Sequence, residues 1–362
     1  MAKTVKFVVM KIVPMIDTFS IWWKQKLNLG IKPACLSLFA IGLSITFMIN
    51  ACSLGQTQSL KPLRIGLITW PGTDIILYAQ QASKIFKQRG LEIEIVRFPS
   101  TQDIGPAVMR GGIDAGLITL WDAMQVYPGN GKPLVLMTAD VSAGSDGIVS
   151  RTEIKSVKNL RGKKVSAKLG VINHLVLLEA LKVHQIKPLE VQILDYSNDV
   201  AVQKLKAGQI DAAVMWEPIL GETAQSIKGN VIHTTKDVDS LAIDILMSSD
   251  TIVKSKQAEL KQFMLAWFDV MHAVDTKPTE VFEVVGKKLG QSSQSFASDY
   301  AGLKKGDIAL NKRMFAVNGR LNAAKTEIVQ LLQSDPRHGR VIRQDVEFDA
   351  TLVNKAIAEW KP

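Results

Sequence analysis

The chain has 362 residues, of which 47% are apolar, so it is long enough for two domains that each have an apolar core. Its formal charge is +10, but half of this excess lies in residues 1–51, which hold six lysines and one aspartate. No basic cluster follows, which argues against nucleic acid as a partner. The sequence has two cysteines, Cys35 and Cys52, so residues 53–362 contain none. This absence excludes a disulfide, a cysteine nucleophile and a Cys-based metal site within residues 53–362.

The N-terminal region has the pattern of an export signal. Lysines precede an apolar run over residues 34–49, which is shorter than the roughly 20 residues of a membrane-spanning helix. The sequence Ile-Asn-Ala-Cys at 49–52 resembles the lipobox of bacterial lipoproteins, in which the cysteine is diacylated; the alternative is a chance cysteine after a cleaved signal. We expect residues 1–51 to be a signal peptide with an N-terminal extension and residues 52–62 a lipid-anchored tether. Met1, Met10 and Met15 all remain candidate starts.

Residues 63–150 alternate short apolar runs with helical segments, a pattern that predicts an α/β lobe. Strands are predicted at 63–69, 91–98, 113–119, 134–139 and 148–150. Helices are predicted over residues 75–87 and from Ser100-Thr101 onwards.

Residues 162–218 predict a second α/β lobe with parallel strands. The pattern is strand 165–167, helix 172–185, strand 189–194, helix 200–207 and strand 210–215. Ligands bind beyond the carboxyl ends of such strands. We therefore expect the site among the residues that follow them, which are 168–174, 195–198 and 216–218.

Two segments of the chain are similar to each other. VMRGGIDAGLITLW at 108–121 aligns with LKAGQIDAAVMWEP at 205–218, so that Asp114 aligns with Asp211. Matching flanks favour duplication over a generic helix–strand loop. Both aspartates begin strands at the end away from the cleft, and we interpret them as structural.

The two similar units predict two lobes and a shared tail. We expect lobe 1 at 63–150, lobe 2 at 151–240, and a return to lobe 1 over 241–362, with crossings near Ser150 and Leu241. Amphipathic helices predicted to pack around lobe 1 cover 257–276, 279–289, 293–303, 321–333 and 350–360. Phe263, Met264, Trp267, Phe268 and Met271 recur at helical spacing, which is typical of core.

Several motifs together resemble one known family. Trp70-Pro71-Gly72, GGIDAGLITLWDA, SAGSDGIVSR, GKKVSAKLGVINH and AGQIDAAVMWEP are similar to the nitrate/sulfonate/taurine group of ABC-importer substrate-binding proteins, which includes binders of a thiamine pyrimidine precursor. The resemblance spans about 63–250. It implies a type II periplasmic-binding-protein fold, in which two α/β lobes joined by a two-strand hinge hold a ligand cleft between them. It also implies a monomer that delivers its solute to a permease and an ATPase.

The candidate site combines features for anions and for cations. Helix starts at Gly72-Thr73, Ser100-Thr101 and 171–173 expose N–H groups that suit an oxyanion. Three acidic residues instead favour a ligand with a cationic or N–H-rich part, unless they cap helices or pair with a lysine such as Lys168. Three tryptophans are candidates to wall the ligand, and His174 either contacts it or caps a helix. The predicted ligand-binding residues are Trp70, Gly72, Thr73, Ser100, Thr101, Thr119, Trp121, Ser142, Asp146, Val171, Asn173, His174, Trp216, Glu217 and Asp244.

No catalytic or metal motif is present: HExxH, GxSxG and a phosphate loop are all missing from the sequence. We therefore expect neither an enzyme nor a cofactor, but an exported solute-binding protein facing the periplasm or the cell exterior. The alternatives are a binder of a thiamine pyrimidine precursor and a ligand-sensing subunit of a membrane receptor. An enzyme on the same fold is least favoured, because the related pyrimidine-precursor synthases have a cysteine-rich active-site stretch. A neighbouring permease gene would favour transport, and a kinase gene would favour sensing.

Overall fold

The computed structural model describes residues 62–362, apart from 82, 83, 128, 130, 239 and 240. The predicted signal peptide and the tether up to residue 61, including Cys52, lie outside the described residues. Within the described part, no helix is both long enough and apolar enough to span a membrane.

Strands and helices alternate through the first two thirds of the described chain, and helices dominate the rest. The strands are β1 (Leu63–Leu67), β2 (Ile93–Arg97), β3 (Ala115–Thr119), β4 (Pro133–Ser142), β5 (Asp146–Ser150), β6 (Lys164–Ser166), β7 (Gln192–Leu194), β8 (Ala212–Trp216), β9 (Asn230–Thr234), β10 (Ile243–Ser249), β11 (Leu303–Lys305) and β12 (Glu347–Phe348). The helices are α1 (Pro71–Asp74), α2 (Leu77–Gln81), α3 (Ile85–Gln88), α4 (Thr101–Met109), α5 (Leu120–Ala123), α6 (Ile172–Val183), α7 (Asn198–Lys206), α8 (Ile219–Ile227), α9 (Asp250–Ser255), α10 (Gln257–Thr276), α11 (Pro278–Leu289), α12 (Ser293–Ala301), α13 (Ile308–Met314), α14 (Arg320–Ser334) and α15 (Thr351–Glu359).

The strands form two mixed sheets, one in each lobe. The larger sheet has the order β11-β4-β10-β3-β1-β2, with β12 also paired to β4, and the smaller has the order β7-β6-β8-β5-β9. In each, three parallel strands are followed by an antiparallel strand: β2-β1-β3-β10 in the larger sheet and β7-β6-β8-β5 in the smaller. The predicted two-lobed α/β fold is confirmed, and the shared strand order agrees with the internal duplication.

The chain passes between the lobes twice. The first crossing lies at 143–145, because β4 belongs to the larger sheet and β5 pairs with β8 and β9 of the smaller. The sequence prediction placed this crossing near Ser150, at the end of β5, and so assigned β5 to the wrong lobe. The short loop Ala143–Ser145 reads as polar in the sequence, but nothing local shows that the sheet changes there. The second crossing, between β9 and β10, agrees with the expectation near Leu241.

Two predicted elements are divided in the structure. The helix expected over 75–87 starts earlier, because Pro71 occupies the first turn of α1, and it continues as α2 and α3. Lys84, at the start of α3, has a φ of 53°, which an uninterrupted helix does not allow. The strand expected over 189–194 is a 3₁₀ turn at Pro188–Glu190 followed by β7.

The C-terminal helices cover the larger lobe and reach the smaller one. The predicted core residues of α10, from Phe263 to Met271, are at most 2% exposed, and Trp267 Nε1 donates to the Gly306 carbonyl at 3.0 Å. Helix α14 packs in one apolar cluster with Leu175 and Leu178 of α6, which belong to lobe 2. The expectation that the tail packs around lobe 1 therefore holds for α10 but is incomplete for α14.

Candidate ligand-binding cleft

A cavity of about 280 Å³ lies between the two lobes, where strands of both sheets end. Its lining includes Trp70 beyond β1, Lys168 beyond β6 and Ser197 beyond β7. This is the edge at which open α/β sheets place their ligands. The sequence rule therefore finds the cavity correctly.

Most of the predicted ligand-binding residues lie around this cavity, although their contact with a ligand stays a prediction. Trp70 is 6% exposed and Trp216 is partly exposed, and both present flat apolar surface to the cavity from different lobes. The predicted residues that line it are Trp70, Thr73, Ser100, Thr101, Thr119, Ser142, Asp146, Val171, Asn173, Trp216 and Asp244.

Trp121 and His174 lie outside the cavity, contrary to the prediction. Trp121 is fully buried because the chain continues from β3 into α5, whose capping box joins Thr119 to Asp122. The His174 ring packs edge-on against Trp121 with centroids 5.7 Å apart, and His174 Nε2 lies 3.0 Å from the Asp335 carboxylate. Both side chains therefore belong to packing between elements.

Gly72 and Glu217 also lie outside the cavity lining. A Cβ at Gly72 would collide with the Asp140 carboxylate, so the close approach of these two residues requires glycine. The Glu217 side chain turns back and accepts a hydrogen bond from the Gly221 backbone N–H at 3.0 Å. The prediction that these two residues contact ligand is therefore not supported by their positions.

The prediction missed several lining residues. Ser197 and Asn198 follow β7 and lie within the segments in which the strand-end rule predicts the site. They were not among the predicted ligand-binding residues, because a serine and an asparagine in a polar loop do not by themselves indicate ligand contact. The apolar residues gave none, because their sequence context is that of core. The lining residues missed are Ile68, Pro99, Leu117, Lys168, Ile172, Ser197, Asn198, Asp199, Ile219 and Ala242.

Three carboxyl groups form one wall of the cleft. Asp146 and Asp244 line the cavity, and Asp140 is the register partner of Asp244 across the β4–β10 pair. Burial, together with the negative charge of Glu217, raises the pKa of Asp146 to about 7. Burial is the main cause that raises the pKa of Asp140 to about 7 and the pKa of Asp244 well above its usual range. The Asp140 carboxyl group raises the pKa of Asp244 further, whereas hydrogen bonds with Asp244 and Trp70 act to lower the pKa of Asp140. This wall is stable when its carboxyl groups keep their protons or when a bound group supplies positive charge.

The starts of two helices from lobe 2 also line the cavity. Helices α6 and α7 begin after Val171 and Ser197, and neither residue makes a side-chain cap hydrogen bond. Their first N–H groups and positive dipole ends therefore border the cavity without a capping side chain. Lys168 also lines the cavity and forms an ion pair with Asp195 at 3.0 Å.

Asn173 presents an acceptor at the cavity. Its Nδ2 donates to the Val214 carbonyl at 2.7 Å and to Asn198 Oδ1 at 3.0 Å. A carbonyl oxygen can only accept, so these contacts fix which end of the Asn173 amide is nitrogen. Asn173 is 2% exposed, and among the described residues its Oδ1 has no hydrogen-bond partner.

The lobes also touch beside the cavity. Gln102 of lobe 1 donates to the Leu169 carbonyl of lobe 2 at 2.9 Å. Asp335, at the end of α14, accepts from His174 Nε2 at 3.0 Å and from Arg337 Nε at 2.6 Å. Although burial acts to raise it, these hydrogen bonds hold the pKa of Asp335 below its usual range.

A metal site is not evident in the part of the chain that the structure describes: no group of three or more His, Cys, Asp or Glu side chains is placed to hold an ion.

Comparison with known families gives a match over more than half of the chain. Residues 73–281 match the family described as NMT1/THI5 like. The chain belongs to the NMT1/THI5-like family. The matched region includes both lobes and nearly all of the cavity lining.

Relatives with a curated description are distant in sequence. A putative binding protein of Brucella abortus is 27% identical over 200 residues, which are 54% of this chain and 59% of that protein. The taurine-binding periplasmic protein of Escherichia coli is 22% identical over 263 residues, which are 70% of this chain and 81% of that protein. The chain thus spans less than two thirds of the Brucella relative that it matches.

Solved structures share the fold of this NMT1/THI5-like chain. The periplasmic aliphatic sulphonate binding protein SsuA from Escherichia coli superposes with a TM-score of 0.65 at 18% identity, covering 80% of this chain and 98% of that one. The periplasmic nitrate-binding protein NrtA from Synechocystis gives 0.63 at 13% identity, covering 83% and 89%. The desulfurization enzyme DszB gives 0.58 at 13% identity, covering 82% and 99%. The fold is therefore that of periplasmic binding proteins and also occurs in an enzyme.

Proposed function

We propose that this chain is the extracytoplasmic solute-binding subunit of an ABC importer, capturing a small anionic or zwitterionic solute. The cavity between two lobes of the same topology carries the proposal, because it is lined from both sides. The similarity to taurine-, sulphonate- and nitrate-binding periplasmic proteins supports the same role.

Solute capture would use the two crossings as a hinge. Rotation about residues 143–145 and the β9–β10 connection closes the lobes over the solute, as periplasmic binding proteins do. The solute favours the closed form by the difference between its affinities for the two forms. The closed protein, acting as a monomer, would then deliver the solute to a permease and its ATPase.

A thermal-unfolding screen of the full chain in mild detergent tests this function. The panel holds taurine, alkanesulfonates, nitrate, bicarbonate and an aminomethylpyrimidine. A solute at one hundred times its Kd adds about 2.7 kcal/mol to the free energy of unfolding, which is readily measured. Binding by one of these compounds supports the role, and no stabilisation by any of them at millimolar concentration contradicts it for this solute class.

The second part of the proposal is a lipid anchor at Cys52 that holds the exported protein at the membrane, facing the periplasm or cell exterior. We expect Cys52→Ser to abolish incorporation of labelled fatty acid. Cys35→Ser is the matched control, because it removes the other cysteine and should leave labelling unchanged. Labelling that persists in Cys52→Ser contradicts the anchor.

Three other functions are distinguished by further measurements. A binder of a thiamine pyrimidine precursor would respond to the aminomethylpyrimidine alone, and a sensing subunit would copurify with a receptor instead of a permease. An enzyme on this fold would convert a bound compound into a product. This should be tested by product analysis, because the desulfurization enzyme DszB shares the fold.

A further inference from the structure

We propose that the cognate solute carries a protonated nitrogen, and that Asp146 and Asp244 bind it. This inference rests on the proposed function, since it takes the cavity to be the solute site. It narrows the solute class to amines and protonated nitrogen heterocycles, with or without an acid group at the other end. Nitrate and alkanesulfonates without nitrogen are then not cognate solutes.

The position of the two carboxyl groups is the first support. Asp146 begins β5 of the smaller sheet and Asp244 lies on β10 of the larger sheet, so these two carboxyl groups reach the cavity from different lobes. Asp140 is the register partner of Asp244 on the neighbouring strand β4, and its carboxyl group interacts with the Asp244 carboxyl group and with the Trp70 indole. A cation between Asp146 and Asp244 would therefore join the lobes as well as neutralise the wall.

The charges that surround this wall are predominantly negative. Asp122 and Glu217 add to the negative potential at Asp244 and Asp146 respectively. The rest of the cavity lining adds Asp199 and one cation, Lys168, which is already paired with Asp195. In the described part of the chain, no Lys, Arg or His is among the groups that shift the pKa of Asp140, Asp146 or Asp244. The wall is therefore neutralised either by its own protons or by a positive charge on the solute.

Asn173 is an independent observation that points to a ligand. Its Oδ1 is an acceptor on a side chain that is 2% exposed, it lies on the cavity lining, and it has no partner among the described residues. Leaving such a buried acceptor without a donor is unfavourable. A solute rich in N–H groups satisfies it, whereas nitrate or a sulfonate group supplies no donor.

The same geometry sets the orientation of the solute. The protonated nitrogen lies between Asp146 and Asp244, and an acid or polar group at the other end meets the N-termini of α6 and α7 beside Lys168. Because the raised pKa values keep protons on the empty wall below about pH 7, binding of a cation releases protons into solution at that pH. As the pH rises above about 7, Asp146 loses its proton before the solute binds, and its share of the release declines.

Calorimetric titration of the full chain with matched probes tests the inference. Taurine is compared with ethanesulfonate, and an aminomethylpyrimidine with the same ring carrying methyl instead of aminomethyl. We expect at least one nitrogen-bearing probe to bind about 10- to 100-fold more tightly than its partner. In buffers of different ionisation enthalpy, that probe should release more protons at pH 6 than at pH 8.5.

Variants locate the effect on the wall. Asp146→Asn and Asp244→Asn should each remove most of the preference for the nitrogen-bearing probe, while Asp211→Asn, a carboxylate at the far end of the sheet, should preserve it. Equal or tighter binding of a nitrogen-free oxyanion by the unchanged protein overturns this inference and leaves the proposed function intact. Absence of binding by every probe overturns both.

Discussion

The two lobes repeat one α/β unit. Their contacts agree at the amino-terminal end of the third strand and differ at its carboxyl end. At the shared end, Asp114 Oδ2 accepts from the Arg64 backbone N–H at 2.8 Å, and Asp211 Oδ2 accepts from the Lys164 backbone N–H at 2.8 Å. In both lobes this aspartate ties the third strand to the first. The repeated Ile-Asp-Ala sequence therefore specifies the strand pairing of each lobe.

The carboxyl ends of the same strands have diverged. Thr119 occupies the position equivalent to Trp216, and both line the cavity. Thr119 also caps helix α5, in which Trp121 is fully buried, whereas Trp216 is partly exposed. The repeated sequence therefore determines the strand pairing of each lobe, while the candidate site depends on the residues that follow the third strand.

The largest expected effect separates the two tryptophans. Trp121→Ala should lower the free energy of unfolding by about 3–5 kcal/mol, because it empties a fully buried position. Trp216→Ala should cost far less stability and instead weaken solute binding, since its ring borders the cavity. Urea unfolding and solute titration of both variants measure this; a folded Trp121→Ala with normal stability would disprove its role in the core.

A smaller difference is expected between the two repeated aspartates. Asp114 also forms ion pairs with Lys256, at 2.9 Å from Nζ, and with the Arg64 side chain. Within the part of the chain that the structure describes, the Asp211 carboxylate accepts only the hydrogen bond from the Lys164 backbone N–H. Asp114→Ala should therefore cost about 2–3 kcal/mol of unfolding free energy, and Asp211→Ala about 1 kcal/mol. Similar losses in the two variants would show that Lys256 and Arg64 add nothing.

The pH dependence of the Asp114 contribution provides a check. Hydrogen bonds from Lys256 and Arg64 outweigh burial and lower the pKa of Asp114 in the folded state. Its stabilising contribution is therefore present above the unfolded pKa, about 3.9, and declines as the pH falls from there through the lower folded value. The stability gap between the unchanged protein and Asp114→Asn should narrow over that acid range.

The smallest effect concerns two equivalent serines. Ser100 precedes α4 and accepts from the Gln102 N–H at 3.2 Å, while Ser197 precedes α7 without a cap hydrogen bond. Ser100→Ala should cost about 0.5–1 kcal/mol of stability, and Ser197→Ala should be nearly neutral. Thermal unfolding of the solute-free variants measures both, and an equal loss would mean that Ser197 caps its helix in solution.

The sequence predicted elements well where the information is local. The bounds of α10, Gln257–Thr276, follow from its amphipathic period, and the cavity edge follows from the strand-end rule. The lobe to which β5 belongs was not predictable in this way, because sheet membership is decided by pairing with β8, more than 60 residues later.

Site residues were predictable by position but not by orientation. Trp121 and Trp216 carry the same sequence signal, an aromatic residue at a strand end, and only the packing of α5 distinguishes them. His174 is buried by Asp335, a partner 161 residues away that no local pattern indicates.

The contact between His174 and Asp335 has a mechanical consequence. Asp335 lies in the C-terminal tail, which returns to the larger sheet through β12. The tail therefore contacts α6 of the smaller lobe at a point separate from the two chain crossings. Separation of the lobes must either break this buried contact or drag the end of α14 along. The contact is thus a third connection between the lobes, in addition to the two chain crossings, and the hinge motion proposed above has to accommodate it.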